Sequence, residues 1–154
     1  MIITTNALSS PTTREQVGVL RAQLASTLPG LAAGASVMRA ADLSGDDWQE
    51  RLQQATRDSA DAWRPPYATL TQVKAGVAEL GTDPLAQAAR QAIEAALTVS
   101  SRGLDNMGRA YMQFWTNPDQ EIAPKLATFV AHQSDRTSAA IEQAVASLDE
   151  LLLE

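Results

Sequence analysis

The chain has 154 residues, 45% hydrophobic, 19% charged and 5% aromatic, with no cysteine, one histidine and a formal charge of −6. That length can bury a sizeable core without a disulfide or metal staple. Zero cysteine excludes disulfide frameworks, thiolate-bound zinc, iron–sulfur clusters and thiol catalysis; one histidine excludes sites that need a pair; the acidic balance argues against nucleic acid as a partner.

Residues 1–10, Met1 to Ser10, lack the basic and apolar stretches of an export signal and are expected to be irregular. No run of about 18 apolar residues occurs, so no membrane span is expected. These features point to a cytoplasmic protein. The Ser/Thr-rich start also fits secretion by a signal-peptide-independent route. The chain holds 28 alanines and only two lysines, Lys74 and Lys125, a bias that suits helices and fits a GC-rich bacterial genome.

Residues 11–154 are expected to form a single helical-bundle domain. Ser10-Pro11 offers an N-cap followed by proline at the first helical position. Val17, Leu20, Leu24 and Leu28 then repeat at three and four, and Pro29-Gly30 should end this first helix. Residues 30–43 lack a clear period, and Ser36 to Leu43 could form a short helix or an extended segment. Gly30 and Gly34 have the spacing of a close-packing pair, but a flexible connector is the expectation. Ser44 should cap a second helix, with Asp46 and Asp47 in its first turn. Its inner face runs through Trp48, Leu52, Ala55, Ser59 and Trp63 to a stop at Pro65-Pro66.

Tyr67, Leu70, Val73, Val77 and Leu80 predict a third helix, closed by Gly81. Asp83-Pro84 opens a fourth, which runs to about Trp115 and is interrupted near Gly103 and Gly108. Asn117-Pro118 ends it. A fifth begins near Pro124 and carries Leu126, Phe129, Val130, Ile141, Val145, Leu148 and Leu152 on its apolar side. The sum is an all-α, four- to five-helix antiparallel bundle with short Pro/Gly-bounded loops and an irregular N-terminus.

Several sites fail on spacing. The chain has no Glu-x-x-His pair, no zinc-binding His-Glu-x-x-His, no phosphate-binding glycine loop and no nucleophile elbow. The stretch Asp42–Gln53 places acids like a calcium loop, but Asp47 stands where glycine is needed and Gln53 where glutamate is needed. No metal and no cofactor are expected.

His132, Asp135 and Arg136 share a helix face, which could hold an imidazole as a base or simply form a solvated ion pair. Gln133 and Thr137 continue the apolar rhythm of Leu126 and Val130. They form either a buried polar layer or an exposed edge. The aromatics cluster as Trp63 and Tyr67 around Arg64-Pro65-Pro66, and as Tyr111, Phe114 and Trp115 beside Met112. Such residues cap a bundle core or anchor a partner. Residues 105–154 carry 8 acids against 3 bases, so most net charge lies in the last third.

The function expected from these features is a non-enzymatic protein-binding module: a secretion chaperone, a toxin-neutralising immunity protein or an adaptor. Its partner-binding residues would be Trp63, Tyr67, Tyr111, Trp115, Asp135 and Glu142, facing a protein that is itself basic. A secreted effector or secretion-system component is one alternative. A small-molecule or enzymatic pocket near His132 is another. The Ile141/Val145/Leu148/Leu152 side leaves a homodimer open.

Overall fold

The computed structural model describes residues 11–154, so the expectation for residues 1–10 lies outside the described residues. Five helices make up this part of the chain: α1 Thr13–Ser26, α2 Leu28–Ala40, α3 Trp48–Ala78, α4 Pro84–Thr116 and α5 Ala123–Leu153. No strand occurs among the described residues, and the all-α bundle is as the periodicity predicts.

Helix α1 starts later than Ser10-Pro11 suggests. Its N-cap is Thr12, whose hydroxyl accepts the Glu15 N–H while the Glu15 carboxylate receives the Thr12 N–H. This is a capping box, which satisfies two donors left free by the helix start. Nor does Pro29-Gly30 act as a terminator. Pro29 sits in the first turn of α2, where its missing N–H costs nothing, and Thr27 joins the two helices in an αR conformation. The expected connector at 30–43 is therefore a helix as far as Ala40. Together α1 and α2 form one side of a four-sided bundle, bent at Thr27.

Pro65-Pro66 fails as a stop as well. Helix α3 runs through both prolines for 31 residues, so the expected second and third helices are one. Ser44 is not its cap. The N-cap is Asp47, and Ser44 instead gives its N–H and hydroxyl to Asp42. Gly81 lies two residues past the C-cap, Glu79. Helix α4 is continuous across Gly103 and Gly108, and its 33 residues span about 50 Å. The C-terminal helix begins as expected, with Pro124 in its first turn.

The bent α1–α2 side packs against both α3 and α5, and α5 packs most extensively against α4. Small residues set the tight seams. Gly30 and Gly34 of α2 meet Pro66 and Trp63 of α3, and Gly103 of α4 meets Thr137 and Gln133 of α5. Helices α3 and α4 approach each other less closely, and aromatic rings meet between them at one end. Trp48 meets Phe114 edge-on at 6.0 Å, and Phe114 meets Trp115 edge-on at 5.0 Å. Leu24, Leu31, Met38, Leu52, Ile93, Ile141 and Leu148 are the largest fully buried apolar side chains and fill the centre.

Surface contacts fasten the bundle sides. Arg21 of α1 pairs with Asp149 of α5 at 2.8 Å, and Arg39 of α2 pairs with Asp135 of α5. Gln120 donates to the carbonyls of Leu43 and Gly45, tying the α4–α5 loop to the α2–α3 loop. Arg90 donates to the carbonyls of Leu80 and Gly81, which fixes the α3–α4 turn.

Candidate functional site

The aromatic residues singled out from the sequence face mostly inward. Trp63 is buried, and its indole N–H donates to the Leu31 carbonyl at 3.2 Å. The same carbonyl accepts the Ser134 hydroxyl from α5 at 2.9 Å, so one α2 oxygen gathers donors from two other helices. Tyr67 is half-buried and points its hydroxyl towards Thr137 and Ser100. Neither hydroxyl completes a hydrogen bond of normal geometry with it, and the Tyr67 and Thr137 oxygens are both unpartnered. Tyr111 runs the opposite way, from α4 towards Met38, Thr56 and Ser59. Burial raises both phenols above their ordinary value, and the nearby hydroxyls offset that rise only in part.

Gln133 and Thr137 belong to this buried layer. Both are shielded from solvent, and Gln133 accepts from the Asn106 amide at 3.2 Å. Polar atoms from all four sides of the bundle therefore meet at mid-height: the Leu31 carbonyl, Trp63 and Tyr67, Ser100 and Asn106, and Gln133, Ser134 and Thr137. The bonded members of this layer, Trp63 and Ser134 on the Leu31 carbonyl and Asn106 on Gln133, favour one register, because a slip would leave them unpaired.

The remaining residues singled out from the sequence lie on the surface. Asp135 is held by Arg39 across the α2–α5 seam, and Glu142 is exposed beside it. His132 is exposed, and Asp135 turns to Arg39 rather than to the imidazole. Trp115 is partly exposed at the end of α4, against Phe114. Val145 and Leu152 are half-buried within the bundle, alongside the fully buried Ile141 and Leu148.

The spacing of the sequence passes over a different surface. At one end of the α4–α5 seam a groove of about 480 Å³ opens to solvent. Phe114 and Leu126 form its floor; Ala110, Gln113 and Asn117 form the α4 wall; Ile122, Lys125 and Phe129 form the α5 wall. Phe129 is 40% exposed and Ile122 43% exposed, high values for large apolar side chains. A signal for this groove was present. Phe129 lies off the Leu126–Val130–Thr137–Ile141 stripe and shares its own face with Lys125 and Arg136.

A second groove, also of about 480 Å³, lies between α1 and α3. It is lined by Val19, Leu20 and Gly76 and edged by Glu15 and Glu79. Leu104 and Met112 of α4 are exposed at 45% and 75%. No helix among the described residues is long and apolar enough to cross a membrane.

Comparison with family models, with curated proteins and with solved structures finds no match for this chain.

Proposed function

We propose that this protein is a non-enzymatic protein-binding module, and that the α4–α5 groove is its principal contact surface. One observation carries this reading. Two large apolar side chains, Phe129 and Ile122, stand on the rim of a groove whose floor is already the bundle core. A partner side chain entering there would meet an apolar floor without any unfolding of the bundle. Exposed apolar residues grouped around a concavity mark interaction sites, unlike single exposed ones. A chaperone, a toxin-neutralising partner and an adaptor all need such a surface, and the identity of the partner decides among them.

The aromatic anchors move accordingly. Trp63 and Tyr67 support the bundle from within, Tyr111 spaces α3 from α4, and Trp115 braces Phe114 beneath the groove. A pocket reaction at His132 has less support, since that imidazole is exposed and its nearest candidate carboxylate is engaged elsewhere.

The test is affinity isolation of the tagged chain from its native host, beside a Phe129→Ala/Ile122→Ala double variant. The wild type should retain a stoichiometric protein that the variant loses, while both chains melt at similar temperatures. Equal recovery of the same proteins by both chains would move the binding surface elsewhere.

A further inference from the structure

We infer that the α4–α5 groove receives an acidic amphipathic helix of a partner protein. This rests on the binding-module reading above and adds the chemistry of the partner.

The cations on this face carry the inference. Among the described residues, Arg102 and Arg109 of α4 and Lys125 and Arg136 of α5 make neither an ion pair nor a side-chain hydrogen bond. The arginines elsewhere are engaged. Arg21, Arg39, Arg51 and Arg64 hold carboxylates, and Arg14, Arg57 and Arg90 donate to carbonyl oxygens of the backbone or of Gln54. Of the five cations without such a partner, Lys74 stands on α3 and the other four fall on one seam. Arg102, Asn106, Arg109 and Gln113 follow at i, i+4, i+7 and i+11 along α4, and Lys125, Phe129, His132 and Arg136 follow the same steps along α5. The Asn106–Gln133 bond and the Gly103–Thr137 contact place these two rows beside one another, antiparallel. The one acid on the α4 row's outer edge is Asp105, and Glu121 lies at the foot of α5.

Lys125 therefore lines the apolar groove, and Arg109, Arg136 and Arg102 stand without partners further along the same seam, on a protein of net charge −6. A basic segment would find no charge partner along these two rows, whereas carboxylates would meet the four cations. The acids expected to attract a basic partner are differently placed: Asp135 already holds Arg39, and Glu142 lies with it on the α2–α5 side of the bundle.

Shape selects a helix. The groove lies between two antiparallel helices, where a third helix can lay its side chains between the ridges. From Arg102 to Asn117 the seam is about 22 Å long, the length of about 15 helical residues. Ile122 and Phe129 are seven residues apart, about two turns, so the occupant would present apolar side chains at i, i+3 or i+4, and i+7, with Asp and Glu flanking them.

The probe is a displayed library of helical peptides of about 15 residues, selected against the full chain, with the best binders remeasured by fluorescence anisotropy. Enriched peptides should carry apolar residues at helical spacing flanked by Asp and Glu. Their affinity should fall about tenfold with Lys125→Glu or Arg109→Glu and about thirtyfold with Phe129→Ala, and it should weaken as salt rises. Lys125 and Arg109 are exposed, so their charge reversal does not depend on repacking the core. Enrichment of basic peptides that still need Phe129 would overturn the acidic partner while keeping the groove as a protein site. Enrichment of peptides indifferent to Phe129 and Lys125 would overturn the site itself, as would no enrichment. Binding to phosphatidylserine vesicles in place of peptides would assign the cations to a lipid surface, and self-association through this face would assign them to a second copy; either result overturns the inference.

Discussion

Gly30 of α2 lies directly against Pro66 of α3. A Cβ built on Gly30 would stand 2.6 Å from the proline Cγ and 3.1 Å from the Ala62 carbonyl oxygen. That carbonyl is the one Pro66 leaves without its usual helical donor, since proline has no N–H. The irregularity of one helix is thus packed against the glycine of another. One turn along, a Cβ on Gly34 would stand 2.1 Å from Trp63 Nε1. Glycine is required here for close approach, and not for any unusual backbone angle.

Alanine at these glycines should accordingly act in opposite senses along the chain. Gly34→Ala must displace the Trp63 ring and its bond to Leu31, and should cost about 2–3 kcal/mol. Gly30→Ala meets the Ala62 backbone as well as the proline ring and should cost a similar amount. Gly18 and Gly108 have open space around the added methyl, so alanine there should stabilise by up to about 1 kcal/mol through helix propensity alone. Urea melts of the four variants check this. A neutral Gly34→Ala would contradict the packing described.

The mid-bundle layer gives a second prediction. Thr137 is fully buried and its hydroxyl has no partner. Removing an unsatisfied buried hydroxyl recovers its desolvation cost, so Thr137→Val should raise stability by about 1 kcal/mol, or about 3 °C in Tm. Gln133→Leu should do the reverse, because it strands the Asn106 amide that Gln133 now accepts. Thermal melts of both variants distinguish a satisfied polar layer from a merely tolerated one.

The two tyrosines are the only ones in the chain, so alkaline titration reports on both. Burial raises each phenol in the folded state. The unfolded chain then loses these protons first, and stability should fall as pH rises above about 10. Below that value both forms are protonated and the phenols contribute no slope. Tyrosinate absorbance should appear later in the folded than in the unfolded protein, and Tyr67→Phe with Tyr111→Phe should flatten the alkaline loss of stability.

At acid pH the sign reverses. Ser44 holds Asp42 below the ordinary carboxylate value, and Arg21 does the same for Asp149. Each contributes stability that is present above about pH 4 and is lost as pH falls through the lowered folded value. Both carboxylates lie on the surface, so the loss should be small and should shrink further in salt. Asp149→Asn should abolish the Arg21-dependent part of it.

Much of the fold is legible as periodicity. Helices α4 and α5 lie close to where the apolar spacing puts them, since long amphipathic stripes between proline-marked ends leave little choice. The errors lie at the prolines. Pro29 reads as a terminator but serves as a first-turn residue of the next helix, and Pro65-Pro66 are carried inside α3 where a partner helix supplies the packing: Pro66 fits Gly30, and Trp63 fits Gly34. Those pairings join residues 36 and 29 positions apart, which no local window contains. The same holds for the candidate site. The sequence offered aromatics by identity, and tertiary packing turned Trp63 inward while leaving Phe129, on an ordinary-looking helix, at the surface.

The most direct test of the α4–α5 groove as a contact surface is site-specific photo-crosslinking from residue 129 in living cells of the native host. Phe129 is replaced by benzoylphenylalanine, and Gln53, exposed on α3 away from the groove, serves as the control position. Position 129 should yield one discrete adduct with a second protein, and the residues crosslinked in that protein should lie on an acidic amphipathic helix, with no such adduct from position 53. The absence of an adduct from position 129, or the same adducts from both positions, would contradict it.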